Sequence, residues 1–264
     1  MKSKQRVIYY RDEQNDEFAG DDITPKKIDG SYRYLREDLP GRAAHVLCYH
    51  VLAIPLAFFY MKLYFGHRVV NREILRKAEP GAFFLYGNHT HPIADALIPT
   101  MVSMPKEVSV IVHPNNVSMP VLGRITPSLG ALPLPDDREA AKHFLQAITT
   151  RVRQGSCIMI YPEAHIWPYY TKIRPFPDTS FRYPVQYRTP VYCLTNTYQK
   201  RRYGSRPRLV TYLDGPFFPD ETLPAAQQKK QLRNQVYEAM TARAKNSNLE
   251  VIRYEKEKEE DTAG

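Results

Sequence analysis

The chain has 264 residues, 43% of them apolar, which is enough for one sizeable core and excludes wholesale disorder. Its 37 basic against 28 acidic residues leave a net charge of +9, which points to an anionic partner: a phosphorylated substrate, an acidic membrane surface or nucleic acid. The three cysteines, Cys48, Cys157 and Cys193, form no Cys-x-x-Cys pair, so neither a disulfide framework nor a structural zinc site is indicated, and a reducing compartment fits.

In chain order, residues 1–40 mix charges, Gly and Pro with Tyr9, Tyr10, Tyr32 and Tyr34, and read as an irregular arm on the domain surface. Met1 to Gln14 lacks the apolar core of a secretory signal, so a cytoplasmic location is expected. Residues 41–67 centre on the mostly apolar run Ala43 to Phe65, long enough to reach a membrane. His45, His50, Pro55 and Lys62 interrupt it, and an ionisable group at the bilayer centre costs about 3 kcal/mol. Lys62 can snorkel and Tyr49, Tyr60 and Tyr64 suit an interface, so a partly embedded or in-plane helix is expected. An apolar helix buried in the protein is the alternative.

Residues 68–250 then alternate strand-like and helical runs. The strands are read at Arg68 to Asn71, Ala82 to Tyr86, Val108 to Val112, Ser156 to Tyr161, Val191 to Thr195 and Leu209 to Leu213. A helix is read over Asp137 to Gln154, with Phe144, Leu145, Ile148 and Val152 on one face and Gly155 past its end, and another over Pro224 to Ala244. This pattern argues for an α/β fold with a mixed, largely parallel sheet flanked by helices. Residues 251–264 are a charged tail, read as solvated or frayed.

The chemistry concentrates in Asn88-His89-Thr90-His91-Pro92-Ile93-Ala94-Asp95, directly after a strand-like run. An imidazole whose one nitrogen is held by a carboxylate keeps the other free to take a proton from a hydroxyl. A helix starting near Pro92 places Asp95 one turn beyond His89 or His91, and spacing alone does not choose between them. The plainer alternative is a turn at Asn88 and Thr90 with Asp95 complementing the helix dipole.

The order of these features resembles the glycerolipid acyltransferase family, whose bacterial members include 1-acyl-glycerol-3-phosphate acyltransferases. It rests on the strand leading into Asn88-His89, the carboxylate that follows, a glycine-rich loop near 123–130, and Pro162-Glu163 after the strand 156–161. By position, the resemblance makes His89 the general base and Asp95 its orienting acid, with five residues between them where the family usually has four; His91 is the fallback base. Pro135 stands where the family's acceptor-binding stretch, here Leu129 to Pro135, usually ends in arginine. The third motif, usually Pro-Glu-Gly followed by a hydroxyl residue and arginine, reads Pro162-Glu163-Ala164-His165 here. Glu163 and Gly130 become candidate substrate contacts, with Glu163 equally readable as a buried, hydrogen-bonded carboxylate that holds the loop, and Lys172 or Arg174, or else Arg138 or Arg182, candidate replacements for the missing cation. Backbone N–H groups near Gly130 or Ala164 are the candidate oxyanion donors.

The resemblance implies transfer of a fatty acyl group from acyl-CoA or acyl-ACP, as cosubstrate, to a hydroxyl of a lysophospholipid or glycerol-phosphate-like acceptor, on the cytoplasmic face of the cell membrane. No cofactor, metal or nucleic-acid partner is expected; acyl carrier protein is a candidate partner. Two other classes stay open: a metal-dependent hydrolase built on His89, His91, Asp95, Glu163 and His165, and a non-catalytic lipid-binding protein on the same fold. His165 and Trp167 fall outside the family pattern; both are read as core, with the wall of an acyl channel as the alternative.

Overall fold

The computed structural model describes residues 5–19, 23–36, 38–76 and 81–257. They form nine strands: β1 (Arg6–Tyr10), β2 (Arg68–Val70), β3 (Phe83–Gly87), β4 (Val108–Val112), β5 (Ala131–Pro133), β6 (Cys157–Ile160), β7 (Val191–Gln199), β8 (Arg208–Phe217) and β9 (Ile252–Lys256). Seven of them make the main sheet, in the order β2-β8-β7-β3-β6-β4-β5. All neighbours in it run parallel except the β7–β8 hairpin, so the sheet is mixed and largely parallel.

Strand β3 lies in the middle and is buried on both faces, which is why it reads as an unbroken apolar run rather than an alternating one. Its side chains divide by pleat. Phe84 and Tyr86 join Phe144 and Ile148 of the helix Arg138–Arg153 and Leu232, Val236 and Met240 of the helix Ala225–Ala244 on one face. Phe83 and Leu85 join Ile98 and Val102 of the helix Ala94–Ser103, with Met61 and Phe65, on the other. The helix Arg138–Arg153 begins where Asp137 accepts the N–H of Ala140 at 2.8 Å and ends before Gly155 at φ +73°.

The apolar segment is one helix, Leu39–Phe65, long and apolar enough to cross a membrane. Tyr49, Ala57, Met61 and Phe65 dock it on the domain, while Leu47, Leu52, Leu56, Phe59 and Leu63 are exposed. Only 17% of its most apolar stretch is buried, so it is not a core helix.

The two ends of the chain depart from the sequence reading. The arm 1–40 contains β1, and the tail 251–264 contains β9, which pair in parallel from Arg6 with Ile252 to Tyr10 with Lys256. Residues 258–264 lie outside the described residues. The charges hid the strand because a two-stranded edge needs only one apolar side, and Ile252 is its one buried side chain. Trp167 holds this assembly together: buried completely, it stacks on Tyr254 with ring centroids 5.0 Å apart, touches Tyr10 and Phe18, and donates from Nε1 to the carbonyl of Asp16 at 2.7 Å.

Candidate active site

His89 and Asp95 meet at the end of β3. His89 Nδ1 lies 2.9 Å from Asp95 Oδ2. That oxygen also accepts the main-chain N–H groups of Thr90 at 2.7 Å and His91 at 2.8 Å, while Oδ1 accepts from Asn196 Nδ2 at 3.1 Å. A carboxylate gripped from four directions cannot turn, so the imidazole it holds is oriented too. The extra residue between the pair is absorbed in the turn before the helix Ala94–Ser103, where the N–H of Asp95 bonds the carbonyl of His91 at 3.1 Å.

His91 is built differently. Its Nδ1 accepts the N–H groups of Ile93 at 3.2 Å and Ala94 at 3.1 Å, so the ring caps the start of that helix. Burial pushes its pKa down, against the pull of Asp95, and keeps it neutral. His89 lines a cavity of about 810 Å³ together with Asp95; His91 is not in that wall.

Behind Asp95 runs a buried chain of polar groups whose direction is fixed. Thr211 Oγ1 donates to Asn196 Oδ1 at 2.6 Å and lies 2.9 Å from His67 Nε2, which donates to it. Asn88 and the main chain of Asn196 bond each other twice, at 2.8 and 3.0 Å, extending the β3–β7 ladder by one side chain. Burial, helped by Lys62, holds the pKa of His67 down to about 4. Tyr161 stacks on His89 with centroids 4.3 Å apart and donates to the carbonyl of Asp95 at 2.5 Å. Sequence reasoning missed Asn196, Thr211, His67 and Tyr161. Asn196 had a signal, a polar residue directly after the apolar strand run; His67 and Thr211, 144 residues apart, had none.

The remaining candidates have other partners. Glu163 is buried and accepts the N–H groups of His89 and Arg174, both at 3.0 Å, so it holds the loop rather than facing the cavity. Burial pushes its carboxyl pKa up, against Arg174 and those two N–H groups. Arg174 is completely buried, 3.5 Å from Glu163, bonded to the carbonyls of His165 and Glu13, with its guanidinium 5.0 Å over Trp167. No phosphate can reach it there. Lys172 is exposed and outside the cavity wall. Gly130 makes the turn into β5 at φ +90°, where a Cβ would come within 2.3 Å of the carbonyl oxygen of Val108. Its N–H bonds the carbonyl of Pro127 and that of Ala164 bonds Tyr161, so neither N–H is aimed at an oxyanion. His165 is half-buried rather than core: it pairs with Glu17 of the arm at 2.8 Å, and both line the cavity. With His91 capping a helix, Glu163 on Arg174 and His165 on Glu17, the five residues of the metal-hydrolase alternative do not converge.

The cavity is apolar along most of its length. Val110, Val112, Leu129 and Leu134 form one wall and Tyr49, Ala53 and Ala57 of the apolar helix another. Arg182 lines it as well, the only Lys or Arg to do so among the described residues. The arrangement therefore offers an oriented imidazole on the wall of a largely apolar cavity that one guanidinium also lines.

A family model described as Acyltransferase matches residues 66–196. The fold is similar to the crystal structure of the 1-acyl-sn-glycerophosphate (LPA) acyltransferase PlsC from Thermotoga maritima, with a TM-score of 0.53 and 15% sequence identity over 81% of this chain and 85% of that one. No curated protein matches the sequence.

Proposed function

The chain belongs, through residues 66–196, to the acyltransferase family, and from that premise we propose that it moves a fatty acyl group from an acyl thioester, acyl-CoA or acyl-ACP, to a hydroxyl of a lysophospholipid or glycerol-phosphate-like acceptor. The observation that carries this reading is the 2.9 Å contact of His89 Nδ1 with Asp95 at the wall of the apolar cavity. With Nδ1 taken, Nε2 is the nitrogen that removes the proton from the acceptor hydroxyl. The oxygen attacks the thioester carbonyl, the tetrahedral intermediate collapses, the carbon–sulfur bond breaks, and the imidazolium returns its proton to the departing thiolate. Asp95 stabilises the imidazolium meanwhile, its own orientation set by Asn196 and two main-chain N–H groups. No step needs a metal.

The slot between the apolar helix and β4–β5 suits an acyl chain. Arg182 is the cation we assign to an acceptor phosphate, in place of Arg174 and Lys172. Membrane association, at the cytoplasmic face, is supported by the exposed apolar side of Leu39–Phe65 and by the basic β7–β8 hairpin beside its end. Lys200, Arg201, Arg202, Arg206 and Arg208 crowd that hairpin, Arg206 lies 4.5 Å over the ring of Tyr64, and Tyr203 is 77% exposed. Each basic side chain near an anionic lipid surface contributes about 1 kcal/mol.

The test is release of free thiol from a long-chain acyl-CoA, and separately from acyl-ACP, with and without lysophosphatidic acid. Acceptor-dependent release supports the proposal; no release with either thioester and any lysophospholipid overturns it in favour of a lipid-binding protein.

A further inference from the structure

A second cluster of chemistry-bearing side chains ties the apolar helix to the sheet, away from His89. His45 and His50 on the helix and Glu107, the residue before β4, each offer one ligand atom, all within 4.8 Å of one another. On an α-helix, residues five apart point roughly 140° away from each other. Here Val46–Ala53 takes the wider π-helical turn, and the two imidazoles come side by side with centroids 5.6 Å apart.

The hydrogen bonding fixes how His45 is oriented. Its Nδ1 lies 2.7 Å from the carbonyl oxygen of Ser128, which can only accept, so Nδ1 carries the proton and the neutral ring has its lone pair on Nε2. His45 Nε2 lies 3.0 Å from Glu107 Oε1, and His50 Nε2 lies 3.2 Å from the same oxygen. Both imidazole nitrogens and the carboxylate oxygen thus face one point that a cation can occupy. An imidazole donating its far N–H to a carbonyl is also the outer-shell arrangement that ligating histidines show.

We propose that His45 Nε2, His50 Nε2 and a carboxylate oxygen of Glu107 bind a first-row divalent metal ion, with zinc the best match to two imidazoles, one carboxylate and an open fourth position. Bonds of about 2.0–2.2 Å span ligand atoms so spaced after small side-chain shifts. The ion joins the helix to the sheet, and Tyr49 lies between its two histidine ligands. Tyr49 lines the cavity, stacks on His45 at 5.0 Å, and accepts the N–H of Val108 at 3.0 Å. Metal occupancy thus fixes the helix as a wall of the cavity. The site takes no part in proton transfer and stands whether or not the acyl-transfer reading does.

The experiment titrates metal-stripped full-length protein with zinc chloride by calorimetry, and with cobalt(II) for the visible absorption of a four-coordinate site. One ion per chain is expected, with affinity reduced at least about tenfold in His50→Ala and in Glu107→Gln and unchanged in His89→Ala. Zinc should also raise the unfolding midpoint of the wild type and not of His50→Ala. Absence of saturable binding overturns the proposal and leaves a proton as the cation at His45. Binding that survives both His50→Ala and Glu107→Gln, or that is lost in His89→Ala, overturns it as well.

Discussion

The pair His89 with Asp95 and the pair Arg174 with Glu163 are coupled through one bond, because the Glu163 carboxylate accepts the main-chain N–H of His89 at 3.0 Å. Both join an acid to a base, and the sequence reading offers His89 and Arg174 alike as side chains that meet substrate. In the first pair the carboxylate is buried and the imidazole is 19% exposed on the cavity wall, so its second nitrogen can meet a substrate. In the second, the side chains are 0% and 1% exposed and every strong contact of the guanidinium is internal. The difference teaches that one solvent-open member separates a proton-transfer pair from a structural clamp.

The largest effect expected is on turnover. A positioned base contributes about 10²- to 10⁴-fold, so His89→Ala should lose that much acyl transfer with its unfolding midpoint kept. His91→Ala should keep most activity while losing at least about 1 kcal/mol of stability, since it removes a helix cap and a buried ring packed on Phe65 and Tyr169. Paired assays and denaturant melts read both. An active His89→Ala beside an inactive His91→Ala would break the comparison at its first term.

The clamp should show the inverse pattern. Arg174→Met leaves a buried carboxylate unpaired, and breaking such a pair costs about 3–5 kcal/mol. Adding Glu163→Gln should recover part of that loss, because the amide oxygen can still accept from His89 while carrying no charge. Urea melts of the single and double variants check this, and a KM for the acceptor that rises in Arg174→Met without loss of stability would return Arg174 to substrate binding.

How much of this was legible follows from reach along the chain. The helix Arg138–Arg153 and the strands around β3 were readable because their pattern is local: apolar spacing, the Asp137 cap and Gly155 all lie within a few turns. A histidine beside Asp95 was readable for the same reason, while the choice of His89 over His91 came from the resemblance. Burial is not local. Arg174 looks like a surface cation until Trp167, Glu13 and the strand β9 are seen to cover it, and the last two come from opposite ends of the chain. Asn196, Thr211 and His67 meet only through the β2–β8–β7 pairing, which no sequence period announces.

That buried chain gives the next effect in size. His67 has its pKa near 4 in the folded protein against about 6.5 when unfolded, so below pH 6.5 the unfolded chain takes up a proton that the folded one refuses. Stability is therefore full above pH 6.5 and falls as the pH drops toward 4, by roughly 2 kcal/mol at pH 5. His67→Gln, which can still donate to Thr211, should lose less between about pH 7.5 and pH 5 than the wild type does in matched urea melts. Equal losses would mean that His67 takes up its proton without unfolding the network behind Asp95.

The smallest effect tests what holds the clamp loop in place. Ala164 sits at φ +62°, on the cavity wall, next to Glu163 and at the position where the resembling family usually has glycine. A side chain in the left-handed region costs roughly 1–2 kcal/mol, and glycine gives back about 0.5–1 kcal/mol through the freedom it adds to the unfolded chain. If the bonds of Glu163 to His89 and Arg174 set the loop, Ala164→Gly relieves strain without loosening it, so stability should rise by up to about 1.5 kcal/mol and kcat should stay unchanged. If instead the methyl group props the loop against the cavity, the same substitution lowers kcat and leaves stability flat, and the clamp is then one support among several rather than what fixes His89.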